Sequence, residues 1–405
     1  MLSSLSRRGR LYLIGLLGAL TAADAIAIDV LIPAMPQLRL AFSISAAQAS
    51  ATLSVFMVGL AMGQILYGPL SDRYGRKPPL IAGLVLFVLG SLLPVLVQTY
   101  PVLMMGRWLQ ALGAAGGLVI ARAVVVDRFP EKECAAIFSV LLQILGLGAI
   151  VAPIMGGYLA VTAGWQSIFG LLGCLGALCL LAVIWTLEES RPRGEAARPV
   201  SSPLGGVGGL LSDRTFVAYC LSSGCIMGGM FATLVGNAFI FADMFGWSPM
   251  SYAILYSSGS FGFVVVGFAN ILALRRYSPV QLATASTALI AADALVLCLI
   301  GANGVASVWS VAALTMGQLA IMGLVFGNMG ALAMGRARTA AGTGSSLLGI
   351  SQYALGGLAG PVAAVVGGTA LRSSSIAAAF FYCGALLLLL GRGQSLDVSQ
   401  SVRRP

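Results

Sequence analysis

What most constrains this chain is a succession of long apolar runs. They fall at Leu11–Pro33, Gln48–Leu70, Pro79–Gln98, Pro101–Val126, Ala135–Val161, Trp165–Leu187, Phe216–Phe241, Met250–Leu274, Val280–Ile300, Val305–Met334, Gly342–Val366 and Ile376–Leu390. A helix of about 20 apolar residues crosses the hydrocarbon of a bilayer. Backbone polar groups in lipid must be satisfied internally, which leaves helices or closed barrels. Barrel strands alternate apolar and polar residues, and these runs are continuous. Only 9% of the chain is charged, against about 25% in soluble domains. The expected fold is all-α, with twelve transmembrane helices in two six-helix halves.

The basic arm at Arg7, Arg8 and Arg10 followed by Leu11–Leu20 also has the opening of a signal peptide. The apolar run continues past Ala27 at full membrane length, so we read it as helix 1. A net charge of +10 would suit nucleic acid, but its distribution does not. Arg73, Arg76, Lys77, Arg128, Lys132, Arg191, Arg193, Arg198, Arg214, Arg275, Arg276, Arg336, Arg338, Arg392, Arg403 and Arg404 fall with the basic arm on one side of the expected membrane. Arg39 and Arg372 fall on the other. This asymmetry places both termini in the cytoplasm. The chain has no His, which excludes a His relay or a His-ligated metal. Six of its seven Cys lie in apolar runs without C-x-x-C spacing, as expected of packed thiols. No cofactor, metal or catalytic residue is expected.

The Pro-, Gly- and Ser-rich stretch after Glu188 reads as a linker. The expected organisation is an N-terminal half at 1–190, a cytoplasmic linker at 191–214, a C-terminal half at 215–392 and a cytoplasmic tail at 393–405. Two six-helix halves around a midplane site is a transporter architecture.

The run Gly68-Pro-Leu-Ser-Asp72-Arg73-Tyr-Gly75-Arg76-Lys77 lies between two membrane-length segments. It is similar to G-x-L-[S/A]-D-R-x-G-R-[R/K], the loop between helices 2 and 3 of the major facilitator superfamily. The resemblance implies that Asp72, Arg73, Gly75 and Arg76 form a conformational lock, with Arg122 and Asp127 near by on helix 4 as structural partners. Gly148-Ala-Ile-Val-Ala-Pro153-Ile-Met-Gly156-Gly157 resembles that superfamily's antiporter motif in helix 5, with Ala152 in place of a glycine. Asp29-Val-Leu-Ile-Pro33-Ala-Met-Pro36 resembles the helix 1 signature of the bicyclomycin/chloramphenicol-resistance branch of drug:proton antiporters, without its Tyr.

An ionisable group inside the membrane is costly and marks a functional site by default. Asp29 is the first candidate for exchanging a proton against substrate, and Asp24 the second. Five residues apart, they stand roughly 7.5 Å apart along a helix and cannot easily share one face. Arg107, in Arg107-Trp-Leu-Gln110-Ala-Leu-Gly, resembles the family's helix 4 arginine, implicated in proton coupling. It must face water, a carboxylate or backbone carbonyls. Gln110, Asn237, Gln318, Asn328, Gln352 and Tyr353 either line a cavity or bond between helices. Asp293, mid-helix 9, has no evident role.

These features point to a proton-driven exporter of amphipathic drugs or toxic metabolites in the bacterial inner membrane. Its expected partners are a small amphipathic substrate, protons and the lipid bilayer, with no nucleic acid, and it is expected to act as a monomer. A proton-coupled uptake symporter on the same fold is the alternative, which the helix 5 motif disfavours. No G-x-x-x-x-G-K-[S/T] loop is present to bind nucleotide. A receptor or membrane enzyme is less consistent, for want of a soluble domain or an acid/base cluster.

Overall fold

The computed structural model describes residues 7–129, 131–190, 207–337 and 341–391. Of the expected linker, 191–206 lie outside the described residues, as does the tail at 393–405. The described residues are helical with no strand, and they contain twelve segments long and apolar enough to cross a membrane. The chain divides into two compact units, Met1–Arg198 with Ser248–Ser257, and Pro199–Trp247 with Ser258–Pro405.

The first unit contains α1 (Arg7–Asp29), α2 (Met35–Ala41), α3 (Ala46–Tyr74), α4 (Lys77–Leu96), α5 (Tyr100–Arg128), α6 (Glu131–Thr162) and α7 (Trp165–Thr186). Two turns of α10 (Pro249–Ala273) belong with it. Its most buried helix is α5, which packs against α1, α3 and α4. Small residues line that contact: Ala111, Gly113, Ala114, Ala115, Gly116 and Gly117 are all buried. In lipid, helices associate by close van der Waals packing, which small side chains permit.

Helix 1 does not run unbroken to Pro33. It stops at Asp29, turns through a short 3-10 segment at Ile32–Ala34, and resumes as α2. Pro33 and Pro36 lack the N–H that would continue the ladder. The break is buried, with Val30, Leu31 and Ile32 fully enclosed.

The second unit contains α8 (Val207–Ser212), α9 (Arg214–Phe239), the rest of α10, α11 (Pro279–Asn303), α12 (Val308–Arg336), α13 (Ala341–Gly357), α14 (Ala359–Val366) and α15 (Ala370–Gly391). Here α9 is central, packed on α12, α13 and α15. The expected single span Gly342–Val366 is interrupted at Leu358, after Gly356-Gly357 and before Pro361. Ser278 and Ser307 each cap a helix reciprocally with the residue three positions on, which fixes the starts of α11 and α12.

Candidate functional site

Asp29 is the last residue of α1, where the helix breaks, and it is 8% exposed. Its Oδ1 accepts a hydrogen bond of 2.7 Å from the Tyr256 hydroxyl on α10. Tyr252, one turn earlier, stacks against Tyr256 with ring centroids 6.2 Å apart. Asp24 is also buried, and close enough to Asp29 for the two charges to repel. Both carboxyl groups therefore point into the first unit, despite their spacing on the helix. No arginine pairs with Asp29 among the described residues.

The helix 5 motif holds this arrangement. A Cβ on Gly156 of α6 would overlap the Val30 carbonyl, immediately after Asp29. A Cβ on Gly157 would lie 2.6 Å from Ala253 Cβ and 2.9 Å from the Pro249 carbonyl of α10. Two adjacent glycines thus let α6 press on the backbones carrying Asp29 and Tyr256. Gly148, two turns earlier, meets chiefly the Ile26 side chain, at 3.3 Å from such a Cβ, with Ala22 Cβ at 4.0 Å. Pro153 lies inside α6 between them. The Ser257 hydroxyl donates to the Ile150 carbonyl at 2.8 Å, a second tie between α10 and α6.

Arg107 is fully buried. It donates to the Ala27 carbonyl at 3.1 Å and to Gln110 Oε1 at 2.6 Å, and its guanidinium lies 4.1 Å from the Phe56 ring centroid. Gln110 donates in turn to Ser91. Gln110 therefore belongs to the wiring of Arg107 inside α4 and α5. The chain Ser91–Gln110–Arg107–Ala27 ends two residues before Asp29. It fixes the end of α1 through a carbonyl, with a cation–π contact offsetting the desolvated charge.

The loop motif forms an ionic cluster. Arg76 bonds Asp72 and Asp127, each at 2.8 Å, and Ser71 at 2.9 Å. Asp72 and Asp127 thus share Arg76. Burial works against the charged Arg76 guanidinium, but the two carboxylates outweigh it and hold its pKa above the usual value. Arg73 lies over the Tyr74 ring, and Arg122 is exposed.

Glu189, which the motif does not include, completes the cluster. Its carboxylate accepts from the backbone N–H of Arg76 at 2.8 Å and of Lys77 at 3.1 Å, at the N-terminus of α4, where a helix favours negative charge. Gly75 adopts φ +89° and ψ 173°, a region essentially confined to glycine, with the Glu189 carboxylate packed where a side chain would be. Lys77 Nζ donates to the Ile184 carbonyl at 2.8 Å, and Arg128 to the carbonyls of Glu188 and Glu189.

In the second unit the candidate polar residues mostly bond between helices. Asn328 donates to Asn270 at 2.9 Å, Gln352 to Ser223 at 2.8 Å, and Thr233 to Gln318 at 3.0 Å. Asn237 and Gln318 are each 1% exposed, and Tyr353 is half-buried. Sequence reasoning missed Tyr256 and Glu189. The signal for Tyr256 was the Tyr252/Tyr256 pair, which shares a helix face four residues apart.

A broken first helix with a buried carboxylate, within twelve membrane-length helices, defines a multi-pass membrane protein built as a transporter. The chain belongs to the major facilitator superfamily, whose family model matches residues 17–361. It is 31% identical over 386 residues to the uncharacterized MFS-type transporter YdgK of Bacillus subtilis, covering 93% of this chain and 94% of that one. It is 28% identical over 345 residues to the multidrug resistance protein MdtL of Salmonella typhi, covering 85% and 86%. Among solved structures, the inward-facing, unoccupied form of a bacterial homologue of the human lysosomal transporter Spinster superposes with a TM-score of 0.76. That match is 18% identical and covers 95% of this chain and 97% of the other; it shows the fold.

Proposed function

We propose that this transporter exports a small amphipathic substrate in exchange for protons by alternating access, with Asp29 as the exchanging group. The observation that carries the reading is Asp29 at the break of α1, bonded to Tyr256 and, among the described residues, paired with no arginine. An ionised carboxylate is costly in a low-dielectric interior, so its charge is conveniently neutralised by a proton or a cationic group on substrate. Tyr256 supplies one donor that stabilises the ionised form. Gly156 and Gly157 couple movement of α6 to the backbones carrying both residues. Arg107 fixes the position of the α1 end without neutralising Asp29. The multidrug name of the MdtL relative supports export of drug-like compounds. The reading implies a bacterial inner membrane with both termini cytoplasmic, and a monomer acting on protons and a small amphipathic substrate, without nucleic acid.

The test is intracellular accumulation of a panel of lipophilic antibiotics and dyes in a host stripped of its own efflux pumps. Wild type should lower accumulation of at least one compound, and both a protonophore and Asp29→Asn should abolish the effect. Raised accumulation in wild type would reverse the direction and favour proton-coupled uptake.

A further inference from the structure

Asp293 is the one acidic residue of α11 and has no part in the reading above. Its carboxylate lies beside Gln318 of α12 and interacts electrostatically with Tyr382 of α15, the two helices against which α11 packs. Thr233 of α9 donates to Gln318 Oε1 at 3.0 Å and lies beside the Tyr382 hydroxyl. Asn237 shares that face of α9, one turn on.

Asp293 Oδ2, Gln318 Nε2 and the Tyr382 hydroxyl are buried without a hydrogen bond of good geometry, as is Asn237 Nδ2 on α9. Gln318, Asn237 and Tyr382 are each at most 1% exposed. Buried polar atoms are normally paired, as Asn270 with Asn328 and Gln352 with Ser223 are elsewhere in this unit. Two of these atoms, Gln318 Nε2 and the Tyr382 hydroxyl, are donors next to the Asp293 carboxylate.

Among the described residues, no cation is placed to neutralise that carboxylate. On the elements around it, the charged or titratable groups besides Tyr382 are Cys298, Cys383, Tyr219, Cys220, Cys225, Arg214, Arg336 and Arg372. Cys298 and Cys383 interact with each other. Arg214 and Arg336 begin α9 and end α12, about 28 Å from Thr233 and about 27 Å from Gln318 along their helices at 1.5 Å per residue. Arg372 lies about 15 Å from Tyr382 by the same rise.

We propose that Asp293 is a second proton-binding group of this transporter, with Gln318 and Tyr382 as its positioning residues. The step is proton transfer alone. On release, the carboxyl O–H bond breaks and the proton leaves to water. The carboxylate keeps the electron pair and accepts the Gln318 N–H and the Tyr382 O–H. On uptake these two donors are given up again. The donors thus stand in for a counter-ion in the ionised state, and the proton does so in the other. A role for this site in setting the protons exchanged per substrate rests on the export reading; the titration itself does not.

The test is infrared difference spectroscopy of the purified full chain in lipid, from about pH 5 to about pH 9, where internal carboxyls are known to titrate. Wild type should show a protonated-carboxyl band that disappears with rising pH, is missing in Asp293→Asn and survives in Asp29→Asn. Tyr382→Phe, which keeps the carboxyl and removes one donor, should move the midpoint of that band by about one pH unit, the equivalent of a tenfold change in proton affinity. No band lost in Asp293→Asn, or an Asp293 band that persists unchanged across the range, overturns the proposal. If Asp293→Asn does not fold, an unmoved midpoint in Tyr382→Phe does so. A titrating Asp293 band in a protein that exports none of the panel would overturn the export reading and leave this one standing.

Discussion

Tyr256 donates a 2.7 Å hydrogen bond to Asp29 across 227 residues of sequence, joining the broken end of α1 to the second turn of α10. The bond makes the proposed coupling carboxylate part of a contact between helices, so a change at Asp29 is felt directly by α10.

Tyr256→Phe keeps the ring and its stacking on Tyr252 while removing the donor. A hydrogen bond to a charged group contributes about 1.5–3 kcal/mol, so efflux under a fixed proton gradient should fall by about tenfold or more. Efflux indistinguishable from wild type across the pH range would remove Tyr256 from the mechanism.

Gly156→Ala and Gly157→Ala should each destabilise the protein. Their new methyl groups meet the Val30 carbonyl, or Ala253 Cβ and the Pro249 carbonyl, none of which is a flexible side-chain tip. Overpacking of this kind costs about 1–3 kcal/mol. Thermal melting in detergent should place both well below Gly148→Ala, whose neighbour is the movable Ile26 side chain.

Glu189→Gln should weaken the cap on α4, and Gly75→Ala should strain the turn before it. Losing a cap costs about 0.5–2 kcal/mol, and a non-glycine residue in the Gly75 conformation about 1–3 kcal/mol. Hydrogen exchange confined to the first turn of α4 is the readout. Unchanged protection there in Glu189→Gln would refute the capping role.

Asp213 caps α9 through the N–H groups of Thr215 and Phe216 and pairs with Arg336 at 2.8 Å. Burial pushes its carboxyl up, but Arg336 and the two backbone amides outweigh this and hold its pKa below the usual value of 3.8. A depressed folded value means the contribution is fully present above the unfolded pKa and is lost as pH falls through the folded one. The melting temperature difference between wild type and Asp213→Asn should hold steady from neutral pH to about 4, near the ordinary Asp pKa, and shrink below it. With Arg336 half exposed, solvent screening keeps the difference modest. A difference that shrinks already near neutral pH would contradict this assignment.

The sequence by itself determined the class of fold and the family. Apolar runs of membrane length admit few backbone solutions, and the run Asp72-Arg73-Tyr-Gly75-Arg76 and the Gly156-Gly157 pair are local strings that need no folding to be read. It also marked Asp29 and Arg107, because an ionisable residue inside an apolar run stands out wherever it lies. Partnership was decided only by tertiary structure. Pro33 and Pro36 hinted at a break, but its position at Asp29 depends on Arg107 holding the Ala27 carbonyl and Gly156 packing beneath Val30. Tyr256, Glu189 and the surroundings of Asp293 come from segments far apart in the chain. A hydroxyl or amide in an apolar run has the same local sequence whether it bonds across helices, as Gln110 does, or lacks a bond of good geometry, as Gln318 Nε2 does. Hydrogen bonds act over about 3 Å, so only the packed positions of the helices set which of these groups meet.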